Sequence, residues 1–275
     1  MILNNKVLVI LGMHRSGTSL VANWFNASGL NVGDNLVGGN FSNVRGHFED
    51  RDFLGLHQDL LEECGLHRWG LHSLKEVCLT REQIERVKGL IDDKNSRNRE
   101  WGWKEPRTCL FLKYYRELLP EAKYFVVFRN AESVIESLVR RDLEEEIKSL
   151  NINGRMAGLR KRIARRVKYS EIYKHRKDEY LNAWKIYNSN ILNHLEKVDK
   201  SNYLVFDYCN IMDNQDRIIN YYNDLGFYGL HGVDYKSIYD CDLINERSRN
   251  VCCDNEINNL YNRLESFMDQ SVEKI

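Results

Sequence analysis

Proline is almost missing from this chain: Pro106 and Pro120 are the only two in 275 residues. Such a sequence has room for long uninterrupted elements and none for a proline-rich linker. Net charge is missing too, because 40 basic and 40 acidic residues cancel. The balance lacks the basic footprint of a general nucleic-acid binder, so no nucleic-acid partner is expected, and only local charge asymmetry can act. No apolar run approaches the roughly 18–20 residues that cross a bilayer. The N-terminal run, Val7 to Leu11, leads into Gly12-Met13-His14-Arg15 and not into a cleavage site, so a cytoplasmic chain is expected. No Cys-x-x-Cys occurs. The seven cysteines are odd in number and irregular in spacing, and Cys252 and Cys253 are adjacent. This pattern suits reduced cysteines buried as small apolar residues in a reducing compartment.

What is present is a foldable chain. Apolar residues make up 43% and aromatics 11%, enough for a sizeable core. The length suits one α/β domain over residues 1–275, with a helical lid or insert at about 150–200. Lys6 to Leu11, Trp101 to Lys104, Lys123 to Phe128 and Asn202 to Phe206 read as strands. Helical patterns fill Gly17 to Ser28, Asp50 to Cys64, Thr80 to about Lys94, Glu132 to Leu150, 155–197, Asp213 to Leu225 and 254–271. Thr80 with Gln83 forms a capping-box pattern, and Pro106 is placed to open a further helix. Buried strands alternating with helices predict a three-layer α/β fold, P-loop-like, with a central parallel sheet flanked by helices. Ligands in such sheets bind outside the carboxyl ends of the strands.

Gly12-Met13-His14-Arg15-Ser16-Gly17-Thr18-Ser19 follows the first strand and opens the first helix. Unpaired backbone N–H groups at such a helix start cradle an anion, and the helix dipole favours negative charge there. Thr18 stands where a nucleoside-triphosphate loop carries lysine, and the cation is Arg15, inside the loop. That suits a shorter ligand with a 5′-phosphate. At the end of the third strand sits Arg129, with Ser137 eight residues further on. An arginine and a hydroxyl so placed can hold a further phosphate.

Together these two segments resemble the cofactor signatures of sulfotransferases that use 3′-phosphoadenosine 5′-phosphosulfate (PAPS). Gly46-His47-Phe48-Glu49, Trp101-Gly-Trp-Lys104-Glu105-Pro106-Arg107, Trp184 with Tyr187, and Tyr203 to Asp207 extend the resemblance over residues 6 to about 225. The resemblance implies a P-loop-like fold and transfer of a sulfuryl group from PAPS to a hydroxyl, here of a carbohydrate, glycan or glycolipid. It implies a cofactor site of Arg15, Ser16, Gly17, Thr18 and Ser19 on the 5′-phosphosulfate and of Arg129 and Ser137 on the 3′-phosphate. Arg247 and Arg249, in a late loop, correspond to a further basic contact. The catalytic set it implies is Arg15, Lys104 and Glu49, with Glu49 as the base and no metal. His47 and Glu105 are rivals for the base, and Glu49 has a plain alternative as a carboxylate at a helix start. Aryl-type members use a histidine where this chain has Lys104-Glu105-Pro106, which disfavours an aryl acceptor.

His57, His67 and His72 lack ligand-like spacing and read as surface or core histidines. Arg155 to Lys168 carries seven basic residues and no acid, around a stripe of Leu159, Ile163 and Val167. It reads first as a solvated face balancing Glu144 to Glu146, and alternatively as a lid over an anionic acceptor. Two competing functions remain: a small-molecule kinase, against which the missing loop lysine speaks, and a catalytically inactive nucleotide-binding scaffold.

Overall fold

The computed structural model describes residues 5–38, 46–72, 75–150, 157–238 and 254–275. Arg247, Arg249, Cys252 and Cys253 lie outside these residues. Strands β1 (Lys6–Leu11), β2 (Glu100–Lys104), β3 (Lys123–Phe128) and β4 (Tyr203–Asp207) form a parallel sheet in the order β2-β1-β3-β4. Each strand is buried along all but one terminal residue, as in a parallel sheet covered on both faces. Side chains alternate accordingly. Val7, Val9, Trp101, Trp103, Tyr124 and Val126 point into one core, and Leu8, Ile10, Phe125, Val127, Leu204 and Phe206 into the other.

The second core is closed by α1 (Thr18–Ala27), α7 (Ile211–Asp224) and α8 (Tyr235–Ile238), through Trp24, Phe25, Ile218, Tyr222 and Tyr235. The first is covered by α2 (Arg51–Glu63), α3 (Arg81–Arg97), α4 (Leu112–Leu118), α5 (Ala131–Ser149), α6 (Ala157–Leu195) and α9 (Asn255–Lys274). Thr80 and Gln83 form the expected capping box on α3. Asp50 caps α2 by accepting from the Asp52 N–H, and Asn130 caps α5 by accepting from Ser133 N–H.

The expectations for Pro106, for residues 155–197 and for the cysteines are met in part. Pro106 opens a 3₁₀ turn, Pro106–Leu110, and the α-helix begins only at Leu112. The helical region at 150–200 is mostly the single 39-residue α6. Its C-terminal half is core, with Tyr180, Trp184, Tyr187 and Ile191 buried, while Leu159, Ile163 and Val167 in its first half are exposed. Of the described cysteines, Cys109 is buried, whereas Cys78 and Cys209 are exposed.

Residues 31–37 and 46–50 form a platform beside β2. Leu36 and Asp50 bridge antiparallel, Val37 N–H donates to Glu49 O (2.8 Å), and Asn31 O accepts from Gly102 N–H (2.8 Å). The platform is riveted by Lys94 of α3, whose buried ammonium sits 2.7 Å from Asp50, 2.7 Å from Asp52 and 3.2 Å from Asp34. Burial pushes the Lys94 pKa down, but the bonds from Asp50 and Asp52 outweigh it and the group ends raised. Removing one partner of a buried ion pair strands the other charge, at about 3–5 kcal/mol. Lys94→Met is therefore expected to destabilise by about that much, and Asp50→Asn by less, since Asn still caps α2. Urea denaturation of both variants checks the order, and a near-neutral Lys94→Met contradicts the rivet.

Candidate active site

In the order β2-β1-β3-β4 the chain first crosses from β1 to one side and then returns to the other, so the topological switch point lies between β1 and β3. The loops leaving these two strands part there and leave a crevice at their carboxyl ends. Gly12 to Gly17 is the first loop. At Gly12 a Cβ would meet Val127 O at 2.3 Å, so only glycine lets the loop pass this close to β3. Gly17 stands at the N-cap of α1 in the left-handed region (φ 97°), and no side chain caps this helix. Arg15 is also left-handed, at φ 68°. A non-glycine residue is held there only where its surroundings fix it. The result is a turn of backbone N–H groups at an uncapped helix start, a concavity suited to phosphate.

Around it converge the cations. Arg15 Nε donates to Ser137 Oγ at 2.9 Å, joining the first loop to α5 across the switch point. Burial, then the neighbouring Arg141 and Arg129 guanidiniums, lower the Arg15 pKa to about 10, leaving it charged at neutral pH. Arg129 stacks on the Tyr208 ring, 4.8 Å from its centroid, and its buried Nε has no hydrogen-bond partner. The Arg129 carbonyl accepts from Trp184 Nε1 at 3.1 Å, which fixes the end of β3 from α6. Clustered arginines with an unused buried donor are chemistry suited to an anion.

The floor is a buried relay. Lys104 Nζ lies 2.7 Å from Glu49 Oε1 and 3.2 Å from Ser19 Oγ. Burial lowers the Lys104 pKa against the opposing pull of Glu49. Glu49 follows Phe48, itself left-handed at φ 51°, and this twist turns the carboxylate inward. Asp50 takes the helix cap, so Glu49 is not the capping carboxylate that was its plain alternative. Thr18 and Ser16 are buried at the helix start.

A cavity of about 600 Å³ opens over this floor, lined by Arg15, Thr18, Ser19, His47 and Glu49 at one end. Its far walls come from Trp69, His72 and Arg107 and from α5 and α6, including Arg141, Asp142, Ile172 and Tyr180. His47 is in place, but burial lowers its pKa, so it is neutral near pH 7. His14 was not singled out in the sequence. Its imidazole lines the cavity, with Nε2 buried and unpartnered, and its pKa falls well below the ordinary value through burial and then Arg107. Arg141 and Trp69 were missed as well, because nothing in their local spacing marks them.

Glu105 is excluded as the rival base. It is fully buried and does not line the cavity. It pairs with Arg107 and with His57 Nδ1 (2.6 Å), whose Nε2 meets Tyr115 OH at 2.7 Å. His57 is thus a core histidine, while His67 and His72 meet edge to face on the cavity wall. Burial raises the Glu105 pKa, but Arg107 and then His57 overcome it and bring it to about 2. A folded-state pKa below the unfolded value contributes stability above the ordinary carboxylate range, and this is lost as the pH falls towards the folded value. Stability is therefore expected to decline between pH 4.5 and about 2 partly through Glu105. Glu105→Gln is expected to be about 3–5 kcal/mol less stable at neutral pH, with a flatter acid limb. Chemical denaturation across pH reads both, and an unaltered acid limb removes Glu105 from the account.

No protein-family profile and no curated protein matches this sequence. Among solved structures the chain is similar to the sulfotransferase domain of the Synechococcus PCC 7002 olefin synthase, at 18% identity over 96% of this chain and 94% of that one, with a TM-score of 0.49. It is also similar to a sulfotransferase domain from the curacin biosynthetic pathway, at 18% identity over 95% of this chain and 98% of that one, with a TM-score of 0.46.

Proposed function

We propose that this chain is a sulfotransferase moving the sulfuryl group from PAPS to a hydroxyl of a carbohydrate or glycolipid acceptor. The observation that carries the reading is the Arg15–Ser137 bond across the switch point, which draws the anion-binding loop and the segment bearing Arg129 onto one site. The residues suit a nucleotide with phosphate at both ends: an uncapped helix start for one, and the unpartnered Arg129 Nε for the other. Arg247 belongs to the same proposal through the sequence resemblance alone.

The donor supplies a sulfuryl group on a phosphate leaving oxygen. Arg15, the loop N–H groups and Lys104 stabilise the negative charge that grows on that oxygen as the S–O bond breaks. Thr18 and Ser19 orient the phosphate. Glu49, at the cavity end nearest Lys104, takes the proton from the acceptor hydroxyl as its oxygen bonds to sulfur. Lys104 then bridges the two events, holding the base with one hydrogen bond and reaching the loop with another. The cavity walls, with Trp69 for stacking and Asp142 and His72 for hydroxyl groups, suit a sugar-like acceptor.

Calorimetric titration with 3′-phosphoadenosine 5′-phosphate, AMP and ATP tests the donor. The bisphosphate is expected to bind at least about tenfold tighter than AMP, since a charge-assisted contact contributes roughly 1.5–3 kcal/mol. Arg129→Ala is expected to erase that difference. Equal binding of AMP and the bisphosphate to the unaltered chain refutes the reading, and preference for ATP transfers it to a kinase.

Glu49→Gln keeps an acceptor for Lys104 but takes no proton. Turnover with PAPS and a sugar acceptor is expected to fall by about 10²–10⁴ while bisphosphate affinity stays close to unaltered. His47→Asn is expected to be much milder. A Glu49→Gln enzyme of normal turnover moves the base to another group, with the neutral His14 as the next to test.

A further inference from the structure

The first half of α6 presents a feature that sulfuryl transfer does not use. Leu159, Ile163 and Val167 recur every four residues and are 50%, 57% and 60% exposed. At helical spacing they form one solvent-facing ridge, with Arg160 on one flank and Arg162 and Arg166 on the other. The opposite side of the helix is accounted for: Ala164 packs on the core, Arg165 bonds Glu144 at 2.8 Å and Lys168 lies 3.4 Å from Glu146. Arg160, Arg162 and Arg166 make no ion pair with a described residue. The solvated-face reading thus agrees with the exposed arginines, but it leaves the aliphatic side chains between them unaccounted for.

We propose that this ridge docks on an anionic lipid bilayer, lying in the interface with its aliphatic side chains among the acyl chains and its arginines at the headgroups. Charge selects the occupant. A second copy of this chain would set basic face against basic face. A stable protein partner needs roughly 800 Å² on each side, and one convex ridge of three aliphatic side chains offers no groove to supply it. A bilayer accepts a convex ridge and needs only apolar insertion beside basic residues. No helix of the described residues is long and apolar enough to cross a membrane, so the contact is peripheral.

The site lies directly along the same helix. One turn beyond Val167, Glu171, Ile172, His175 and Arg176 line the cavity. Docking therefore holds the cavity close to the lipid surface, where the acceptor hydroxyl belongs to a lipid-anchored molecule. That last step rests on the sulfuryl-transfer reading; the docking does not.

Co-sedimentation of the full chain with vesicles tests it without donor or acceptor. Binding is expected to phosphatidylcholine vesicles containing phosphatidylglycerol, to weaken as salt rises, and to be absent with phosphatidylcholine alone. The triple variant Leu159→Ser, Ile163→Ser, Val167→Ser changes only exposed positions, and is expected to lose at least about tenfold in partitioning at an unchanged melting temperature. Arg160→Glu with Arg162→Glu and Arg166→Glu is expected to abolish binding. A chain that ignores anionic vesicles at low salt overturns the proposal. So does a serine variant that binds as well as the original, or a chain that binds soluble polyglutamate but no vesicle. Failure of bisphosphate binding, by contrast, strikes the proposed function and leaves the docking standing.

Discussion

Glu49 and Asp50 are consecutive, and each is held by a buried lysine from a different element. Asp50 meets Lys94 of α3, and Glu49 meets Lys104 at the end of β2, both at 2.7 Å. Everything at the floor of the cavity follows from this double fixing. Successive carboxylates are pulled apart, one outward to cap α2 and bind α3, the other inward to the phosphate loop. The left-handed Phe48 is what permits the turn, and the two ion pairs are what hold it against its cost. Free to rotate, Glu49 would sample solvent. Held by Lys104, it lines the cavity in a fixed position, the preorganisation that the proposed role as base needs.

The same logic repeats one step along the chain. Lys104 and Glu105 leave β2 on opposite faces, as neighbours on a strand must. Lys104 enters the site, while Glu105 enters the core and finds Arg107 and His57. In the sequence Glu105 rivalled Glu49 because it adjoins Lys104, whereas Glu49 stands 55 positions from that lysine. Burial separates them: Glu105 has no path to an acceptor, and its charge is consumed by two partners inside the protein. A linear motif carries the identity of charged residues but not the face on which each one lands.

That distinction explains what was legible and what was not. The strands were readable because a doubly covered parallel strand is apolar throughout, and the caps at Asp50 and Thr80 because a capping residue acts on its own sequence neighbourhood. The two segments were readable as motifs local to strand ends, but Ser137 was paired in the reading with Arg129, whereas its hydroxyl accepts from Arg15 Nε. His14 and Arg141 were not foreshadowed. Their importance comes from tertiary convergence, which leaves no periodic trace. Pro106 was read as opening a helix from its N1 preference, and it does, although that helix is a tighter 3₁₀ turn. Arg107 must reach back to Glu105 only two residues earlier while Thr108 accepts from the Trp103 indole. Those side-chain demands accompany the tighter turn, with the proline still at its first position.

Net neutrality of the chain turns out to be an average over strongly unequal regions. Arg15, Arg129 and Arg141 share one crevice, where burial first and the neighbouring guanidiniums second take part of the basicity of Arg15. The outer ridge of α6 gathers further arginines without an acidic partner among the described residues, while acids collect along α5. Gathering like charges costs stability in the empty protein through mutual repulsion and desolvation. A fold keeps such arrangements where something outside it supplies the missing charge. The crevice lies at the switch point of the sheet and has an unpartnered guanidinium nitrogen, features that suit the compact, directional anion of the proposed function. The ridge is convex, exposed and interleaved with aliphatic residues, so its counter-charge is spread over a surface. The two basic regions differ in geometry more than in charge, and that difference is why the proposals give one a small ligand and the other an extended surface.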